Sequence, residues 1–382
     1  MGKNYTGKNL NKRKIVNLII IIVVIILITI MGILYENNNN VRNFLDKYVF
    51  LKEKHENNLP KIAITSSKDI NTYAYKNNII ILKNNLLTVY NSNGNEAYTL
   101  EIEISNPIFE SSGDYLCIGE KNGKKIYVIS GKNIIWQKDL EENILDITIN
   151  SNGYVAVATT GTIHKTIIQV FDNKGQGQFK TLLSSTYVMD MSISPDNSNL
   201  AIAETNFSGI LIQSNVKIIS TEKAKSGAED AYTYKDTNQD GDLIIKIKYQ
   251  SKDELICVYD NHIEVVKEGA NSNISDFSQE ETLFVDLNNK IVKIIKRDSQ
   301  VYLQIINNSN TESIKECEIA EPKEILVSDD VIAINLGSEV QFYNNSGWLI
   351  KRYYATQEIN KIVLCDGLAG IIYNDKIELV SL

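Results

Sequence analysis

Proline and cysteine are scarce in this 382-residue chain, at four each. So little proline excludes a Pro-rich array. So few cysteines, with no Cys-x-x-Cys spacing, exclude a disulfide scaffold or a cysteine-ligated zinc site. Cys117 and Cys257 sit among apolar residues and read as buried free thiols. Histidine is scarcer still, with only His55, His164 and His262. They stand far apart without metal-ligand spacing, and each reads as a surface or turn residue. No nucleophile elbow, phosphate loop or dinucleotide fingerprint occurs. Basic charge is the minority, with 39 Lys and Arg against 47 Asp and Glu, a net of −8. The first fourteen residues carry five bases and no acid, which leaves −13 on the remainder. An acidic body of that kind argues against nucleic acid as a partner. A hydrophobic fraction of 43% excludes a wholly disordered chain.

One long apolar run is present. Ile15 to Leu34 reads IVNLIIIIVVIILITIMGIL, 20 residues without a charge. At about 1.5 Å per residue, a helix of that length spans the roughly 30 Å hydrocarbon core. A cleaved signal peptide has a shorter apolar core, about 7–15 residues, and a small-residue exit. Here the exit is Met31-Gly32-Ile33-Leu34, so an uncleaved anchor in the lipid bilayer is expected. Lys3, Lys8, Lys12, Arg13 and Lys14 keep residues 1–14 in the cytoplasm. Residues 35–382 are then extracytoplasmic, on a single-pass cell-membrane protein. Residues 35–60 form a stalk. Its NNNN run is a joint, and Val41, Phe44, Leu45, Tyr48 and Leu51 follow at helical spacing until Pro60.

From Lys61 the period changes to alternation, with short Ile, Val, Tyr and Leu runs between Asn, Gly, Asp and Ser clusters. A polar turn repeatedly leads into an apolar strand. Ser111-Ser112-Gly113-Asp114 precedes YLCIGE, Asn150-Ser151-Asn152-Gly153 precedes YVAVAT, and Ser251-Lys252-Asp253-Glu254 precedes LICVYD. Counting fainter copies, turns fall near 76, 111, 151, 194, 251, 288, 328 and 366, about 41 residues apart. A period of roughly 40–45 with four strands per unit marks a β-propeller, all-β, over residues 61–382. Eight blades fit best. Seven is the alternative, because the 194–251 interval is long and the unit near 288 is faint. The final unit lacks an outer strand, and Lys61–Thr65 is expected to supply it and close the ring.

The stretch Met191–Ala203, φ-x-φ-S-P-D-N-x-x-L-A-I-A, resembles the blade signature of WD40-like and YVTN-type propellers. True WD40 repeats carry Trp-Asp and Gly-His pairs, which are absent here. Eight blades resemble the quinoprotein-like propellers, but only Trp136 and Trp348 stand where those have repeated Trp docking motifs. An anchor followed by such a ring is similar to a family of membrane-anchored propellers from low-GC Gram-positive bacteria. The resemblance implies a fold and a location, and no activity.

Two groups of residues carry candidate chemistry. Asp236, Asn238, Asp240 and Asp242, with Gly241 between the last two, place oxygens at alternate positions as a Ca²⁺ loop does. The ninth and twelfth positions are Ile244 and Ile247, so the ligand set is truncated. The alternatives are weak Ca²⁺ binding and a solvated hairpin turn. Asp146 and Asp190 hold equivalent first-strand positions and are expected to line the central channel, as a site or as partners of nearby backbone. No other cofactor is indicated. The expected function is a binding or scaffold module for a protein or other cell-envelope component. The alternative is an extracytoplasmic lyase, hydrolase or quinoprotein-like oxidoreductase acting in the channel.

Overall fold

The computed structural model describes Thr29, Gly32 and residues 59–382 except 239–240, 279, 307–314 and 366. The anchor expected at residues 15–34 and most of the stalk lie outside the described residues. Among those described, no helix is long and apolar enough to cross a membrane.

The described chain folds into eight four-stranded antiparallel sheets, seven of them built in chain order. The innermost strands of the eight blades are Asn71–Tyr75, Pro107–Ser112, Ile144–Ile149, Tyr187–Ile193, Ile244–Tyr249, Glu281–Leu287, Glu324–Val327 and Lys361–Cys365. Seven-bladed closure is thereby excluded. The faint repeat near 288 is a full blade, the sixth. The long interval before it holds a short helix, Thr221–Lys225, between the third and fourth strands of the fourth blade.

Second strands explain why the sheets stack. Glu254–Tyr259 and Val331–Asn335 are buried at every position, and Val155–Thr160 at all but the last. A strand covered on both faces loses alternation and becomes a continuous apolar run. Neither face can be buried within one blade, so each core cluster draws on two adjacent blades. Ala156, Ala158 and Ile168 of the third blade, for example, pack with Met191, Leu200 and Ile202 of the fourth. Small residues sit where blades approach most closely. A Cβ on Gly370 would lie 2.9 Å from Val363 Cγ2 and 3.0 Å from Ile79 Cδ1 of the first blade. Gly370→Val should therefore cost about 1–3 kcal/mol through overpacking, read as a lower urea midpoint with an unchanged slope.

Ring closure follows the expected route. Lys61–Ala63 pairs with the last strand, Lys376–Ser381, in the register Lys61↔Glu378, Ile62↔Ile377 and Ala63↔Lys376. The final blade is therefore made from both ends of the described chain, and Ile62 is buried there against Ile79 and Ile377.

Strand direction defines two faces of the ring. Innermost strands end at a turn face, where first strands connect to second strands. They begin at a loop face, where second strands connect to third strands. Turns on the turn face bond from blade to blade. Asn150 Nδ2 donates to the Ser194 carbonyl at 2.9 Å, Asn289 Nδ2 to the Asp329 carbonyl at 2.8 Å, and Gly367 N to Asn77 Oδ1 at 3.0 Å. Asparagine suits both demands of these turns, since Asn77 and Asn197 also hold positive φ.

Candidate functional site

Innermost strands are sheet edges whose outward backbone amides need partners. Between the fourth and fifth blades, side chains of one innermost strand satisfy backbone amides of the next. Asp190 Oδ2 accepts from Ile247 N at 2.7 Å, and Ser192 Oγ accepts from Tyr249 N at 3.0 Å. Asp190 Oδ1 accepts from its own neighbour Met191 N at 2.8 Å. The expected role of Asp190 as a backbone partner is thus observed, and it faces the lumen as well.

The lumen is a cavity of about 610 Å³, lined by all eight blades and bounded toward the turn face by Asn77, Ser151, Pro195 and Asp329. Asp146 and Asp190 both line it, on adjacent blades. Three residues not anticipated from the sequence join them: Glu110 from the second blade, and Lys246 and Lys248 from the fifth. The signal for the lysines was the alternation in IIKIKY, which puts both on one face of a first strand. Lys246 pairs with Asp286 Oδ1 at 2.7 Å, while Lys248 Nζ donates to the neutral amide oxygen of Asn288.

Crowding of these groups shifts their protonation. Burial, then the Asp146 charge, pushes the Glu110 carboxyl up to about 7. Its side chain still meets lumen water, although protein surrounds it. Burial, then Asp190, raises Asp146 to about 6. Burial raises Asp190 to about 6 against the pull of the Ile247 and Met191 amides. Burial, then Lys246, holds the Lys248 ammonium below the ordinary lysine value. On the first strands the lumen's charges are therefore divided, with carboxylates on blades two to four and ammonium groups on blade five, while the turn residues Lys76 and Asp329 add one charge of each sign. Such an arrangement orients a polar guest and exchanges protons near neutral pH.

The proposed Ca²⁺ loop lies elsewhere, on the outer edge of the fourth blade. Asp236 is within the outer strand Tyr232–Asn238 and accepts from Asn271 Nδ2 at 3.0 Å. Asp242 accepts from Asn261 Nδ2 at 2.6 Å through its Oδ1. The side chain of Asn238 and all of Asp240 lie outside the described residues. Among the described residues, no group of three or more His, Cys, Asp or Glu is placed to hold a metal ion.

His262 corrects a reading. It was expected at the surface or in a turn, but it opens the strand His262–Lys267, where it is buried and stacked on Tyr259 with centroids 4.4 Å apart. Its Nε2 lies 3.3 Å from Glu264 Oε1. Burial alone would lower its pKa, but Glu264, Asp242 and Asp276 outweigh it and raise the value. Cys117 and Cys257 are buried free thiols as expected, and Cys317 and Cys365 are partly buried.

A family profile matches residues 51–382, most of the chain. The protein belongs to DUF5711, a family of unknown function. No curated protein matches this DUF5711 chain in sequence. Solved structures match it in fold. BamB from Moraxella catarrhalis aligns at 13% identity with a TM-score of 0.50, over 84% of this chain and 98% of its own. Chaetomium thermophilum Sqt1, bound to the N-terminus of ribosomal protein L10, aligns at 11% identity with a TM-score of 0.54, over 85% of this chain and 100% of its own. At such identities the likeness of the DUF5711 chain to both is one of fold alone.

Proposed function

We propose that this protein is a tethered, extracytoplasmic binding module that docks a protein of the cell envelope and performs no catalysis. The carrying observation is an apolar patch on the loop face. Ile210 is fully exposed, Ile163 is 88% exposed, and Phe207 and Leu211 are more than half exposed. Tyr187 lies beside them with its ring centroid 6.2 Å from that of Phe207. Patches of this kind on a rigid body mark interaction surfaces. They come from the second-to-third-strand loops of the third and fourth blades, which vary without disturbing the sheets.

The tether supports the same reading. The chain enters the ring at Leu59–Lys61 from the turn face, since Lys61 pairs with Glu378 and Ala63 with Lys376. The apolar patch lies on the other face, open to a partner in the envelope. The uncharged run at 15–34 anchors the chain, and its basic flank keeps residues 1–14 inside. Sqt1, similar in fold, was solved bound to the N-terminus of ribosomal protein L10, which supports a protein partner here.

Two measurements test this. Protease added to intact protoplasts should degrade the ring, and full protection would overturn the topology. Affinity capture from solubilised membranes should enrich an envelope protein with the wild-type chain and lose at least tenfold of it with Phe207→Glu plus Ile210→Glu. Equal capture by that variant, with an unchanged melting temperature, would remove the patch from the account.

A further inference from the structure

The lumen has a composition that ring closure does not require. Its volume, about 610 Å³, lies within the roughly 300–1,000 Å³ range of small-molecule sites. Apart from the turn residues Lys76 and Asp329, which also line it, its charges are segregated. The described lining residues of the second, third and fourth blades include Glu110, Asp146 and Asp190 and no lysine or arginine. Asp190 spends both carboxylate oxygens on backbone amides. The Glu110 carboxylate makes no hydrogen bond among the described residues.

Across the cavity, Lys246 is neutralised by Asp286. Among the described residues, Lys248 Nζ is hydrogen-bonded to the uncharged Asn288 amide and has no carboxylate in contact. A metal ion is a poor fit, because no three ligating side chains converge among the described residues. A guest carrying positive charge at one end and negative charge at the other satisfies both walls at once. We infer that the lumen binds a small zwitterion, a free amino acid or short peptide, with its ammonium at Glu110 and Asp146 and its carboxylate at Lys248. None of the apolar-patch residues lines the lumen, so this site is independent of the patch on the loop face.

The test is calorimetric titration of the full chain in lipid nanodiscs with glycine, diglycine and triglycine, which differ mainly in the separation of their charges. Ethylammonium and acetate serve as single-charge controls. One member of the series should bind at least tenfold more tightly than either control. Glu110→Gln and Lys248→Met should each weaken that binding about tenfold, with circular dichroism melts confirming that both variants fold. Should Lys248→Met fail to fold, Glu110→Gln and the length series decide alone. No heat from any of the three zwitterions, binding equalled by a control, or binding indifferent to Glu110→Gln would overturn the assignment.

Discussion

Replacing Glu378 with Ala should lower stability by about 3 kcal/mol, the largest effect expected of a single polar substitution in this ring. Glu378 is 5% exposed and sits in the third strand of the last blade. Its Oε2 accepts from Tyr353 Oη at 2.5 Å, and Tyr353 Oη lies 2.5 Å from Tyr373 Oη. Its Oε1 meets Lys376 Nζ at 2.7 Å and Lys61 Nζ at 3.2 Å. One carboxylate therefore joins the closing strand, the last blade and the outer strand of the seventh blade. Alanine would leave one buried hydroxyl of the Tyr353–Tyr373 pair and one largely buried ammonium short of an acceptor, at the seam where the two ends of the ring meet. Glu378→Gln, which keeps the shape, should recover less than half of the loss. Urea unfolding of the three proteins decides this. A change below about 1 kcal/mol for Ala would mean that the seam is held by apolar packing alone.

The seam was legible before the coordinates, and the reason is general. A third strand with no successor at one end, and an unassigned strand at the other, leave one solution in a closed ring. Blade number was legible for a similar reason. Second strands such as YVAVAT and LICVYD are buried on both faces, so burial writes itself into consecutive residues. Asp146 and Asp190 could be placed in the lumen because they precede equivalent turns. Glu110, Lys246 and Lys248 were missed because lumen-facing positions show no apolar signal, and their neighbours across the cavity are remote in sequence. Asp190 and Ile247 meet across 57 residues. His262 was misread for a different reason. A histidine opening a third strand resembles a turn residue, and only the ring of Tyr259 above it shows that it is buried.

Stability should rise when pH is lowered from 8 to about 5, against the usual expectation for an acidic protein. Glu110 titrates near 7, and Asp146 and Asp190 near 6. In the unfolded chain such groups titrate at roughly 4.3 and 3.9. Between those limits the native state binds more protons than the unfolded one. The slope of unfolding free energy with pH is then negative, so stability falls as pH rises from about 4 to 7. Lys246 and Lys248 on the fifth blade, and Lys121 beside Asp146, reduce the cost without removing it. Glu378 acts in the opposite sense. Burial raises its carboxyl, but Lys376, Tyr353 and Lys61 outweigh this and hold it below the ordinary glutamate value. Its contribution is present above about pH 4.3 and is lost as pH falls through its native value. The two trends place the maximum near pH 4. Lumen water screens these carboxylates, so Glu110→Gln with Asp146→Asn should gain about 1 kcal/mol per site at pH 8 and almost nothing near pH 4. Urea midpoints that are equal at pH 5 and 8 in the wild type, or a double variant no more stable at pH 8, would show that the lumen imposes no such cost. A ring that keeps three destabilising carboxylates in its channel at neutral pH has traded stability for a charged guest site.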